Sequence, residues 1–442
     1  MYNDGAAYKN RQEESGRMQL AIIGGGPAGL SAAIRAKEEG LADVWVIERS
    51  KFLGGILNQC IHHGFGVHIF KEELTGPEYA QRLIDKAKKL GVNFAMESMV
   101  IDIARNRELT YISGVGLTTV KADAIILAMG CRERPRGSVG IPGARVAGIF
   151  AAGVAQELVN MKGCLPGKQV VILGSGDIGL IMARRLTLEG AKVMGVYEIM
   201  PYSGGLKRNI AQCLNDYDIP LHLSHTVTRT VGQKRLEGVY VAKVGQNWQP
   251  LLETEHFVPC DTLLLSVGLI PENELSKKIG VALSPITGGA LVNNRLETSV
   301  PGVFSCGNVL HVHDLVDHVT LEAYEAATYA VRFVRGESSV AGERSKIIGC
   351  DDTDKSGLAG AILIKALEGV RYTVPTSILP ESAASYTLSF RSDKVYMPGV
   401  IKVLADGEII KIAKKRIIIP SEMEKIEFKL KSSVSEIAIS VE

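Results

Sequence analysis

The sequence predicts an α/β fold: two strand–turn–helix units of one design, with a small β-rich domain after them. Three observations carry this reading. MQLAIIGGGPAGLSAAIRAKEEG (18–40) sets an apolar strand, a glycine turn and an amphipathic helix ahead of a second strand, VWVIE (44–48). KQVVILGSGDIGLIMARRLTLEG (168–190) repeats that order ahead of KVMGVYE (192–198). From about residue 345 the texture changes, and YTLSFR, IKVLADGEIIKIA and KIEFKLKSSVSEIAISV gather β-formers around turn signals such as Asp-Gly.

A chain of 442 residues has room for two or three domains with buried cores. Its 50 basic and 48 acidic residues leave a formal net charge of +2, too little for the concentrated basic face that nucleic acid requires. KIAKKR (411–416) reads as a solvated strand edge. No apolar run approaches the roughly 18 residues of a membrane helix. Residues 1–17 are polar, lack the apolar core of a secretory signal and read as a disordered leader, with folded sequence from about Met18. The seven cysteines (60, 131, 164, 213, 260, 306 and 350) follow no CxxC or CxxxxC spacing, which fits reduced thiols in a cytosolic protein.

Each part of the repeated unit has a physical reason. Gly24, Gly26 and Gly29 match Gly174, Gly176 and Gly179, 150 residues further on. In each set the first glycine permits a tight turn, the second lets backbone amides approach a pyrophosphate, and the third lets helix and strand pack closely. The helix N-terminus favours the anion. Glu48 and Glu198 each stand 19 residues after the third glycine, where a carboxylate accepts hydrogen bonds from a ribose. Two Rossmann-like fingerprints at one shared offset point to two dinucleotide sites.

DAIILAMG (123–130) and DTLLLSVG (261–268) then close the two units with the same strand and turn. They lie 138 residues apart, so the first unit is longer by about a dozen residues, and GGILNQCIHHGFG (54–66) is expected in that extra length. GALVNNRLETSVPGVFSCGN (289–308) reads as strand, turn, strand and Gly-Asn, and LVDHVTLEAYEAATYAVRFVRG (315–336) as a helix.

On these motifs residues 18–335 resemble the two-dinucleotide-binding flavoproteins of the pyridine nucleotide–disulfide oxidoreductase superfamily. The resemblance implies an FAD domain (18–145 and 271–340), an inserted NAD domain (146–270) and a C-terminal β-rich domain (345–442). It assigns to FAD Gly24, Gly26, Pro27, Ala28, Gly29, Glu48, Arg49, Gly55, Ala128 and Gly130. Gly307 and Asn308 take the place of that family's late Gly-Asp, which returns to the flavin. To the second nucleotide it assigns Gly174, Gly176, Asp177, Ile178, Gly179, Glu198 and Gly268.

GGILNQCIHHGFG, GCRERPR (130–136), GSGDIG and CGNVLHVHDLVDH (306–318) further resemble a subgroup of anaerobes, encoded beside a glycerol-3-phosphate dehydrogenase and labelled thioredoxin reductase-like. The implied activity is hydride exchange between NAD(H) and FAD, with electrons passed to a small molecule, a thiol or disulfide, or a partner protein. A glycerol-3-phosphate dehydrogenase or a small electron-transfer subunit is a candidate partner, and a homo-oligomer stays open. The alternative is an FAD subunit of an amine, amino-acid or glycerol-3-phosphate dehydrogenase complex, whose second site is structural or binds an adenylate.

Set against that family, the CxxxxC redox pair is missing and only Cys60 remains, at the place of its distal member. Cys60 is expected beside the flavin, where a helix N-terminus or a histidine lowers its pKa; the alternative is a small packing residue. His62 and His63 point apart on any regular element and do not share a metal. His311, His313, Asp314, Asp317 and His318 form a more plausible ligand inventory, but they are expected to serve the flavin edge or substrate, with His313 as a proton donor, and no metal centre is expected. Asp177, at a helix start, is expected to compete with a phosphate for the same amides. Glu198 favours a free ribose 2′-hydroxyl and therefore NADH. Lys207 and Arg208 are either contacts to a 2′-phosphate or a solvated helix start.

Overall fold

The computed structural model describes residues 16–337, 361–381, 384–430 and 434–442. The expected leader falls outside them but for its last two residues, as do Cys350 and the first residues of the C-terminal segment. Strand β1 (Arg17–Ile23) leads through the first glycine turn to helix α1 (Pro27–Glu38) and strand β2 (Val44–Ile47). From Leu20 to Ile23 β1 is an unbroken apolar run buried on both faces, as the centre of a parallel sheet requires. It pairs in parallel with β2 (Leu20↔Val44) and with β3 (Gly116–Leu127; Ile22↔Ile126). Ala28, Ala32, Ala33 and Ala36 line the buried side of α1, so the helix lies close on the sheet. A further helix, Gly76–Lys89, opens with a capping box between Thr75 and Glu78, the reciprocal bonding that satisfies its first free amides.

The second repeat builds a second sheet from strand β4 (Gln169–Leu173), helix α2 (Asp177–Leu188), strand β5 (Lys192–Glu198) and strand β6 (Thr262–Leu265). Its five parallel strands run in the order Ile149–Ala151, β6, β4, β5 and Leu221–Leu223. The closing strands play one role in each repeat: Ala128 N–H donates to Ile23 O (2.9 Å) and Ser266 N–H to Leu173 O (2.7 Å). This compact unit spans Arg132–Ile270. It opens ahead of residue 146 because Gly143 bridges Thr230 and Ile149 pairs with Leu263, tying the approach segment to the second sheet.

The chain then returns to the first sheet. Strand β7 (Val303–Ser305) pairs in parallel with β3 (Val303↔Ile125, Ser305↔Leu127), and helix α3 (Val316–Val334) packs against α1. The other compact unit therefore comprises Met1–Cys131 and Pro271–Glu442, and the C-terminal strands belong to it. Those strands form a five-stranded and a three-stranded sheet around Ile378, Leu388, Phe390, Ile401, Val403 and Ile439. Alternating burial along Gly399–Ala405 and Glu424–Lys429 shows one face of each turned to this core. Asp406 and Gly407 both take positive φ (48° and 83°), the two-residue hairpin turn that Asp-Gly signals. The edge strand it opens, Glu408–Lys415, is mostly exposed and lysine-rich, as expected of a solvated edge.

Candidate functional site

The two glycine turns are built alike. Gly24 (φ +107°) and Gly174 (φ +95°) adopt left-handed backbone under the carbonyls of Ala128 and Ser266, where a side chain has no room. Glu48 is buried at the end of β2; its Oε2 accepts from Gly25 N–H (2.6 Å) and its Oε1 from Ser50 N–H (2.7 Å). Glu198 is buried at the end of β5; its Oε2 accepts from Ser175 N–H (2.8 Å) and its Oε1 from Met200 N–H (2.9 Å). The pairs of amides stand at the same two sequence separations in both repeats, with Ser175 Oγ–H adding one more bond to Glu198. Each carboxylate is thus held rigid at the sheet's carboxyl edge, where an adenosine ribose meets such a fold.

Both turns fit a pyrophosphate. The N-cap residues of α1 and α2 are glycines, Gly26 and Gly176, that bring no capping side chain. A Cβ built on Gly26 meets nothing nearer than Gly55 Cα at 4.0 Å, and one on Gly176 nothing nearer than Ser266 Oγ at 3.3 Å. Pro27 and Ala28 open α1, Ile178 lies in the first turn of α2, and Arg49 is exposed just past Glu48. Gly130 (φ +73°) and Gly268 (φ +103°) follow the two closing strands.

Asp177 departs from expectation. Its carboxylate reaches forward to Leu206 N–H (2.8 Å) and Asn209 Nδ2–H (2.6 Å) instead of folding onto the amides of its own helix. It anchors the loop ahead of Lys207–Cys213 and does not cap its own helix, whose Gly179 N–H donates instead to Ser266 Oγ (3.1 Å). Lys207 and Arg208 open that short helix.

That loop exposes a signal missed in the sequence. Gly54–Gly55 and Gly204–Gly205 also stand 150 residues apart. Each pair folds back on its own glycine turn: a Cβ on Gly55 would meet Gly26 Cα at 3.0 Å, and one on Gly204 would meet Gly176 N at 3.9 Å. The repeat therefore runs through the glycine pair, and the extra residues of the first unit start beyond it. The opening of GGILNQCIHHGFG is a shared cofactor-side loop, and only its remainder is an insertion.

Cys60 follows the 3-10 turn Gly55–Gln59, packed against the backbone of Gly76. Its Sγ–H donates to Ile56 O (3.3 Å), and burial pushes its thiol up to about 12. That is opposite to the activation expected: loss of solvent outweighs the nearby start of Gly76–Lys89.

The late segment reaches the first turn. Gly307 (φ +76°) packs so closely that an added Cβ would lie 2.8 Å from Ala28 Cβ. Asn308 Oδ1 accepts from His313 N–H (3.1 Å), fixing the loop between residues 308 and 313. Glu322 on α3, not singled out in the sequence, gathers this region. Its Oε2 meets His311 Nε2 (2.7 Å), while its Oε1 meets His313 Nε2 (3.0 Å) and Gly307 N–H (2.6 Å). Three ligand-type atoms, one each from His311, His313 and Glu322, thereby lie within 4.8 Å of one another.

Burial lowers His311, and likewise takes His318 down to about 4. Burial pushes the Glu322 carboxyl up, but the facing imidazoles of His313 and His311 more than offset it, so the group sits well below the usual carboxylate range. Ser305 Oγ and the Nδ1 atoms of His311, His313 and His318 are buried without a hydrogen-bond partner, concentrating unsatisfied polar atoms along one short stretch. His62 packs obliquely on Phe65, whereas His63 is exposed.

Residues 18–332 match the profile of the pyridine nucleotide-disulphide oxidoreductase family. Hydrogen cyanide synthase subunit HcnB of Pseudomonas aeruginosa is 27% identical over 416 residues, covering 88% of this chain and 86% of that one. HcnB of Pseudomonas protegens is 28% identical over 316 residues, 65% of each chain, so the match spans just under two thirds of that relative's length. Among solved structures, thioredoxin reductase of Lactococcus lactis superposes with a TM-score of 0.60 at 20% identity, covering 72% of this chain and 99% of its own. Among the described residues no helix is long and apolar enough to cross a membrane.

Proposed function

Because the chain belongs to the pyridine nucleotide-disulphide oxidoreductase family, whose thioredoxin reductase-like members bind FAD and NAD(P)H, we propose that it carries electrons from NADH through FAD to a separate acceptor. One observation carries this reading: Glu48 and Glu198 are held by equivalent amides beneath two glycine-opened helix starts, an arrangement that suits a dinucleotide at each turn. When bound, FAD supplies the hydride chemistry, and the protein sets orientation, access and potential.

The chain's own residues divide the remaining work. Gly24, Gly26, Gly29 and Glu48 hold the first adenosine diphosphate, with Gly55 beside the same turn, and Gly307 and Asn308 meet the flavin side of the cofactor. Gly174, Gly176, Gly179 and Glu198 hold the second, and Glu198 disfavours a 2′-phosphate by charge. NADH brings two electrons and one proton, whereas a quinone-like acceptor takes two electrons and two protons. His313 supplies the second proton, its ring oriented by Glu322. Cys60, protonated and packed, has no part in this transfer.

Anaerobic addition of NADH to the purified protein tests the reading by bleaching the bound flavin. A second reading is favoured by relatives that are named as parts of larger enzymes, HcnB and an opine oxidase subunit of Agrobacterium tumefaciens. In it the chain is the FAD subunit of an amine, amino-acid or glycerol-3-phosphate dehydrogenase complex. Bleaching only by such an organic donor, and only with partner subunits present, would put it first.

A further inference from the structure

The loop 311–314 that carries both histidines is also gripped from the C-terminal sheets. Arg391, on strand β8 (Ser385–Ser392), forms a largely buried ion pair with Asp314 and donates through Nη2 to Val312 O (3.2 Å). Its Nη1 donates to Pro420 O (3.3 Å), and Met423 N–H donates to the other Asp314 oxygen (2.7 Å). The loop is thus fixed from three sides: Asn308 at one end, Glu322 beneath the rings, and the C-terminal domain at Val312 and Asp314.

A buried ion pair of this kind is weak evidence for stability, since apolar replacements of both partners often fold as well. What a guanidinium fork adds is geometry: one planar group fixes a carbonyl and a carboxylate at once. The domain also docks elsewhere, with Thr376 N–H on Val292 O, Leu379 N–H on Asn294 Oδ1 and Arg295 paired with Glu381. Its attachment therefore does not depend on Arg391.

We propose that Arg391 is a positioning residue for His313, and that the C-terminal β-domain is a working wall of the proton-delivering site. The inference rests on the reading of His313 as the donor of the second proton. Two probes separate that step from electron flow. Menadione takes two electrons and two protons per NADH oxidised, one proton coming from NADH and one from the medium through His313. Ferricyanide takes single electrons, two per NADH oxidised, and needs no proton; the proton that NADH brings is released to the medium.

The test uses the FAD-loaded protein and its Arg391→Met, Arg391→Lys and Asp314→Asn variants. Modification of each histidine by diethyl pyrocarbonate is read by mass spectrometry, with exposed His63 and His68 as internal references. In Arg391→Met, His313 modification rises about tenfold against His68 and menadione turnover falls about tenfold, while ferricyanide turnover holds. Arg391→Lys, whose ammonium meets Asp314 but not Val312 O as well, lies between. Combining Arg391→Met with Asp314→Asn costs no more than the worse single change, because both break one clamp.

Unchanged His313 protection in Arg391→Met overturns the proposal, as does an equal loss with both acceptors. If Arg391→Met does not fold, Arg391→Lys and Asp314→Asn decide by the same two readouts. Failure of the underlying functional reading shows separately, as wild-type flavin that NADH does not bleach, while histidine protection still reports on the clamp.

Discussion

Cys60 shows how far a single residue can be read from its neighbours in the chain. Its alignment with a redox segment was visible, but its protonation state depends on burial against Gly76 and Ile56, which only folding reveals. With the thiol pushed up to about 12, very little thiolate forms at neutral pH. Alkylation by iodoacetamide is accordingly slow at pH 8 and accelerates only toward pH 12. Because the folded-state value is the higher one, the half-buried thiol favours folding below about pH 9, and that contribution fades as pH rises through 12. Cys60→Ser leaves NADH-driven flavin reduction and any disulfide-acceptor turnover unchanged; loss of that turnover would restore Cys60 as a redox centre. Glu198→Ala narrows the NADH preference without abolishing reduction, measured as the ratio of flavin reduction rates with NADH and NADPH. A wild type that NADPH reduces faster would show that Glu198 does not select the ribose.

The elements most legible in the sequence were those whose geometry leaves one residue type no alternative. Glycine triplets, their acids and the closing strands announced both nucleotide turns, because each position needs left-handed backbone, close approach or a fixed carboxylate. The glycine pair Gly54–Gly55 was read as part of an insertion; its counterpart Gly204–Gly205 became meaningful once both were seen folding onto their turns. Glu322 was invisible for a different reason. A glutamate on an amphipathic helix reads as a solvated face, and only the return of residues 307–313 over α3 turns it into an anchor. The late segment's grip on the first turn has a direct test. Gly307→Ala places a methyl against Ala28 in backbone that disfavours side chains, costing about 1–3 kcal/mol. FAD content of the purified variant falls as the segment is pushed off α1; full FAD content with an unchanged melting temperature would show that the close approach does not matter.

Across the whole molecule, one chain folds as a unit in two pieces, Met1–Cys131 with Pro271–Glu442, interrupted by Arg132–Ile270. The duplication was legible from one shared offset, whereas the assignment of the C-terminal strands to the first unit was not. That assignment depends on pairings such as Asn293↔Ser377 and Arg391 with Asp314, which join residues far apart in sequence and leave no periodic trace. The proposed function requires that electrons pass from one nucleotide to the other. The direct measurement is anaerobic rapid mixing of the purified protein, without partner subunits, with NADH and with NADH deuterated at the transferring C4 position. NADH then bleaches the flavin within turnover time, and deuterium slows the bleaching. Flavin left oxidised by NADH, yet reduced by an organic donor in the presence of partner subunits, would contradict the proposed function.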